Sequence, residues 1–153
     1  MVPTGNFGDI FAGYVARAMG LPVERLVIAS NTNDILPRAL ASGVYEMRDV
    51  VATSSPSMDI QISSNFERYL FEASGRDAAG VRAQMAALAQ GRRFEIGRCF
   101  ERFKQDFAAA AASEADVAAA IRQVHTAAGY ALDPHTACGI VAADRTLPPG
   151  QTA

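Results

Sequence analysis

The chain has 153 residues, half of them apolar and a fifth charged, which is a globular balance and enough length for one domain with a real core. A net charge of −2 without a dominant basic patch gives no electrostatic case for nucleic acid, and the longest unbroken apolar run, 107–112, is too short to span a bilayer. The start lacks a secretory pattern, and Cys99 and Cys138 have neither a disulfide-framework nor a metal-ligand spacing, so the expectation is a cytoplasmic protein with reduced cysteines and no metal.

The first stretch with chemistry in it is Val2-Pro3-Thr4-Gly5-Asn6-Phe7-Gly8-Asp9-Ile10. Two glycines bracket Asn6 and Phe7, and Ile10, Phe11, Tyr14, Val15 and Ala18 follow at helical spacing, predicting a helix over 10–19 that stops at Gly20. Glycine admits positive φ and close ligand approach, and a helix N-terminus offers unpaired N–H groups and the positive end of the macrodipole. Together they make an anion site, most often for phosphate, although an ordinary strand-to-helix turn has the same spacing. Val2 and Pro3 leave little room for the strand that should deliver such a loop, so the chain is expected to begin inside a larger domain.

Leu26-Val27-Ile28-Ala29 reads as a buried strand of a parallel sheet, reached by a right-handed crossover. The cluster Asn31-Thr32-Asn33-Asp34 then falls at the carboxyl end of that strand, on the side of the Gly5–Asp9 loop; helix capping explains its composition without a ligand, and ligand contact is the alternative. A short helix over 35–42 ends at Gly43, and Val50-Val51-Ala52 reads as a further strand. A Ser-rich loop over 53–63 follows, and Ser64 with Glu67 fits a capping box for a helix burying Phe66, Tyr69, Leu70 and Ala73. Capping leaves Arg68 and the serine run unexplained; a Ser-rich loop opening a helix that bears an Arg is a candidate second phosphate site.

Asp77 is the expected cap of a helix with Val81, Met85 and Leu88 on one face and Gly91 at its end, and Phe94 and Ile96 alternate with charged residues as in a short strand. Phe100, Phe103 and Phe107 lie at helical spacing, and the alanine run 108–112 carries high helix propensity. Ser113 opens a helix with Glu114 and Asp116 in its first turn, Val117, Ile121 and Val124 inward and Gly129 at its end; His125 on it has no second ligand and reads as a surface residue. Asp133 and Pro134 fit the N-cap and first position of a helix over 134–144, which leaves His135 and Thr136 in its first turn, either as plain helix residues or facing a ligand. The end of the chain, 146–153, reads as a flexible tail.

Pro3-Thr4-Gly5-Asn6-Phe7-Gly8-Asp9 resembles the phosphate-loop signature of threonine synthase, a pyridoxal 5'-phosphate (PLP) enzyme of fold type II. Ser55-Pro56-Ser57-Met58-Asp59-Ile60 running on to Ser63-Ser64-Asn65-Phe66-Glu67-Arg68, and Asp133-Pro134-His135-Thr136-Ala137, are similar to later segments of the same family, in the family's order. Between Gly75 and Gly129 the likeness is weakest. The resemblance implies an α/β fold: an open, mainly parallel sheet with flanking helices, part of a fold-type-II PLP-enzyme large domain, truncated at both ends. Residues 1–153 are then one partial domain from the C-terminal portion. It implies a lyase of threonine biosynthesis that converts O-phospho-L-homoserine and water to L-threonine and phosphate.

On that resemblance, the backbone of Gly5, Asn6, Phe7, Gly8 and Asp9 holds the cofactor phosphate, His135 and Thr136 lie near the cofactor, and Asn65 and Arg68 lie on the substrate side. The Schiff-base lysine of the family belongs to an N-terminal half absent here, and Lys104, between phenylalanines in a helical pattern, reads as a solvated helix residue. The chain alone is therefore expected to be inert and to expose a surface prone to self-association. Two other readings share the same loop: a different fold-type-II PLP enzyme of dehydratase type, and a non-catalytic phosphate- or nucleotide-binding α/β module.

Overall fold

The computed structural model describes residues 1–148. Its central sheet has three parallel strands in the order β1 (Val2–Pro3), β2 (Leu26–Ser30) and β5 (Phe107–Ala111), with Val2 opposite Ile28 and Leu26 opposite Phe107. A separate antiparallel pair joins β3 (Val44–Glu46) to β4 (Arg93–Glu95). The helices are α1 (Gly8–Ala18), α2 (Ile35–Ser42), α3 (Phe66–Ala73), α4 (Ala78–Gly91), α5 (Phe100–Asp106), α6 (Glu114–Ala128) and α7 (Pro134–Thr146).

Strand β2 is buried along its whole length because both faces of the sheet are covered. Leu26 and Ile28 point into a large core with residues of α1, α2, α3 and α5, while Val27 and Ala29 face α7 at Ala142. This is the two-sided burial expected of a parallel strand. The large core is aromatic: the Phe7 ring lies 5.2 Å from Phe66, 5.4 Å from Phe107 and 6.1 Å from Tyr69. Edge-to-face and tilted pairs of this kind add to the area they bury.

The caps read from sequence at three helices are present. Asp77 accepts from the Gly80 N–H, Asp133 accepts from the His135 N–H, and Ser113 forms a reciprocal box with Asp116. Hydrogen bonds from the Ser113 side chain and backbone, and the Arg145 guanidinium, hold the Asp116 carboxyl down at about 2. Other expectations are corrected. The alanine run is not helical but forms β5 beside β2, where Ala109 meets the aromatic core and Ala108 and Ala110 lie under α7. Helix propensity, worth tenths of a kcal/mol per residue, yields to a buried ladder of this length.

Val50-Val51-Ala52 is not a strand: Val50 and Val51 are exposed, and the Val51 N–H and C=O are bonded by the Asn33 side chain at 2.9 and 2.8 Å. The strand of this region is β3, whose Tyr45 stacks between Phe66 and Phe94. Ser64 is exposed and caps nothing; Asn65 takes the N-cap position of α3 without a side-chain capping bond. The left-handed residue ending α4 is Arg92 rather than Gly91. At the end of the chain Thr146 closes α7, and residues 149–153 of the expected tail lie outside the described residues.

Candidate functional site

The carboxyl ends of β1 and β2 open on one side of the sheet, where ligands of parallel α/β folds sit. From β1 the chain enters the loop through Thr4, which is buried, donates its N–H to Ala29 O at 2.7 Å and its hydroxyl to Val2 O at 2.6 Å. Gly5 passes close beneath the segment 57–60: a Cβ there would stand 2.9 Å from both Ser57 O and Ile60 Cδ1. Gly5 is thus required for room. The positive φ that the sequence reading assigned to glycine belongs to Phe7, at φ 67° and ψ 3°, whose ring is fully buried in the aromatic core. A left-handed turn closes at Phe7, and α1 begins at Gly8.

The loop sorts its polar groups. The Gly5 carbonyl accepts from Ser63 Oγ at 2.6 Å, and the Asn6 carbonyl accepts from Asn65 N at 3.0 Å and Asn65 Nδ2 at 3.1 Å. The N–H groups from Gly5 to Ile10 have no acceptor among the described residues. A helix N-terminus leaves its first N–H groups free, and here the free run extends back through the loop. Asn6, Gly8, Asp9 and Ile10 line a cleft of about 440 Å³, with Ser57 and His135 opposite them. No Lys or Arg lines it among the described residues, so its anion-seeking groups are backbone amides and the α1 terminus.

His135 is fixed at both ring nitrogens. Nδ1 is 2.8 Å from Asp133 Oδ1, and Nε2 is 3.2 Å from the Ser57 backbone N, which can only donate. The ring proton therefore sits on Nδ1, facing the carboxylate. The bond from the His135 ring, followed by the His135 backbone N–H, lowers the Asp133 carboxyl below its ordinary range. Thr136 is exposed in the same turn and is not among the residues that line the cleft.

The segment bearing Ser57 is anchored by a cluster that includes Asn31 and Asn33, two residues whose composition suggested helix capping. Asp59 Oδ1 accepts from Asn31 Nδ2 at 2.8 Å, Asn33 Nδ2 at 3.0 Å and Thr53 Oγ1 at 2.7 Å, and Oδ2 accepts from Thr53 N at 2.9 Å. Burial alone would raise the Asp59 carboxyl, but the Thr53 and Asn31 donors outweigh it and lower it. Asn31 and Asn33 are buried, and Asp34 pairs with Arg38 Nε at 2.8 Å instead of capping α2. The signal for this cluster lay in Asn31, Asn33, Thr53, Ser55 and Asp59 taken together, too far apart in sequence for a local reading.

The structure brings together the Gly5–Asp9 loop and His135, and sets Asn65 behind the loop, where it bonds the Asn6 carbonyl. It places Arg68 elsewhere: exposed on α3, in a groove with Phe11, Phe71 and Arg82. Lys104 pairs with Glu101 at 2.7 Å on the surface of α5, as a solvated helix residue. Cys99 and Cys138 are free and buried, and burial raises both thiols. Among the described residues no helix is long and apolar enough to cross a membrane.

No family model matches the chain. It is 45% identical over 143 residues to the threonine synthase of Pseudomonas aeruginosa, covering 93% of this chain and 30% of the relative. To the threonine synthase of Saccharomyces cerevisiae it is 44% identical over 162 residues, 96% of this chain and 32% of the relative. Threonine synthase-like 1 of Homo sapiens is 40% identical over 147 residues, 94% of this chain and 20% of the relative. Among solved structures, the PLP-bound threonine synthase from Brucella melitensis superposes with a TM-score of 0.94 at 56% identity, over 96% of this chain and 32% of that one. The threonine synthase from yeast superposes with a TM-score of 0.88 at 42% identity, over 94% of this chain and 31% of that one. The chain spans about 30% of the length of the first relatives it matches. In sequence and in fold it is a homologue of one section of threonine synthase.

Proposed function

We propose that this chain supplies the phosphate-holding wall of a PLP site in a threonine synthase, the type of enzyme that converts O-phospho-L-homoserine and water to L-threonine and phosphate. The observation that carries the reading is the row of unpartnered N–H groups from Gly5 to Ile10 at the start of α1, beside an open cleft. A phosphate ester presents acceptor oxygens and negative charge, which suits amide donors and a helix N-terminus. PLP, when bound, supplies the electron sink for replacement chemistry at the substrate's side chain. Gly5, Asn6, Phe7, Gly8 and Asp9 hold its phosphate in this reading. His135, with Nε2 committed to Ser57, fixes the opposite wall, and Thr136 lies exposed in the same helical turn.

The lysine that carries the cofactor is supplied from outside this chain, because Lys104, the one lysine in the sequence, is paired with Glu101 on the surface of α5. The chain by itself should release no phosphate from O-phospho-L-homoserine. The direct test is calorimetry with pyridoxamine 5'-phosphate, which cannot condense with amines, against pyridoxamine. The phosphorylated compound should bind at least about tenfold more tightly, a difference of about 1.4 kcal/mol, and inorganic phosphate should compete. Equal affinity for the two compounds would overturn the reading.

A further inference from the structure

The loop amides are unpartnered, yet they are not loosely placed. In a trans peptide the C=O of one residue and the N–H of the next belong to one plane and point in opposite directions. The Gly5 carbonyl and the Asn6 N–H share such a plane, as do the Asn6 carbonyl and the Phe7 N–H. Ser63 Oγ holds the first carbonyl at 2.6 Å, and Asn65 holds the second through N at 3.0 Å and Nδ2 at 3.1 Å. We infer that Ser63 and Asn65 are positioning residues that aim the Asn6 and Phe7 N–H groups at the ligand phosphate by holding the carbonyls on the other side of each peptide plane.

Three further observations support this role. Ser63 is itself fixed: it is buried, its N–H donates to Tyr45 Oη at 2.7 Å, and its carbonyl accepts from Phe66 N at 2.9 Å. Tyr45 is fully buried between Phe66 and Phe94, so the anchor reaches into the core. Gly8 lets Asn65 come close, since a Cβ there would stand 3.3 Å from Asn65 Nδ2. Ser63 and Asn65 spend these donors on the loop carbonyls, on the far side of each peptide plane from the N–H groups. They act through the loop, which separates them from the substrate-side role that the sequence suggested for Asn65.

The inference rests on the phosphate reading, and the test separates the two. Ser63→Ala, Ser63→Thr and Asn65→Ala are compared with the parent chain by backbone NMR, first without ligand and then with inorganic phosphate. Without ligand, Ser63→Ala should shift the Gly5 carbonyl carbon and Asn6 amide nitrogen, while Ser63→Thr, which keeps the hydroxyl, should restore both. With phosphate, Ser63→Ala should bind about tenfold more weakly, the effect of one charge-assisted hydrogen bond, with the loss centred on the Asn6 amide. Asn65→Ala should instead weaken the response at Phe7, and it serves if Ser63→Ala does not fold. If the parent chain ignores phosphate, the phosphate reading fails, and the unliganded shifts alone judge the aiming. Unchanged Gly5 and Asn6 shifts in Ser63→Ala, or parent-like phosphate affinity in both alanine variants, would overturn the inference.

Discussion

Phe7 pairs a left-handed backbone with a buried aromatic ring, and replacing it separates the two contributions. The ring is 1% exposed and packs against Phe66, Tyr69 and Phe107. Phe7→Ala removes that packing and should cost about 3–5 kcal/mol, the usual range for a core Phe→Ala change. Phe7→Gly loses the same ring but relieves the left-handed strain, about 1–2 kcal/mol for an L-residue. Glycine returns roughly 0.4–1 kcal/mol of this through the greater freedom of its unfolded chain. The glycine variant should therefore be the more stable of the two, by up to about 1.6 kcal/mol, the reverse of their order in a helix interior. Urea unfolding followed by circular dichroism gives both values. An alanine variant more stable than the glycine variant would show that Phe7 is not held left-handed, and the loop geometry argued from it would fall.

Other consequences are equally open to measurement. Gly5→Ala places a Cβ 2.9 Å from Ser57 O, whose residue is tied to His135, so thermal unfolding should show a loss of about 1–3 kcal/mol; parent-like stability would mean that the wall yields. Asp59 is depressed in the folded chain, so its stabilisation is complete above the unfolded carboxyl value of about 3.9 and is lost as pH falls through the lower folded value. Asp59→Asn should then be less stable than the parent at pH 7, and the gap should narrow in acid; a gap independent of pH from 7 to 2 would contradict the donor set assigned to Asp59. Nitrogen-15 NMR of the His135 ring should find the proton on Nδ1, and His135→Ala should speed hydrogen exchange at the Ser57 amide; a proton on Nε2 would break the assignment.

The parts of the site that were legible in sequence are those written in local residues. Asp133-Pro134 announced α7 because a carboxylate cap and a fixed φ act within one turn, and Gly5-Asn6-Phe7-Gly8 announced the loop before α1. The need for room at Gly5 was not legible because it is set by Ser57 and Ile60, more than fifty positions away. The alanine run was misread for a similar reason. Ala108 to Ala111 carry a helix preference of their own, and only β2 and α7, from distant parts of the chain, decide that they form a strand. The Asn31–Asp59 cluster escaped because buried polar networks have no period, and Arg68 looked site-bound because α3 begins beside the loop while its outer face turns away.

The central claim is that the amides from Gly5 to Ile10 form a ready phosphate cradle. It is tested most directly by titrating inorganic phosphate into the nitrogen-15-labelled chain and following those amides one by one. Saturable shifts should appear at Asn6, Phe7, Gly8, Asp9 and Ile10, while Thr4, whose N–H is already bonded to Ala29 O, stays still. Shifts that spare the loop, or that move Thr4 as much as its neighbours, would contradict the account.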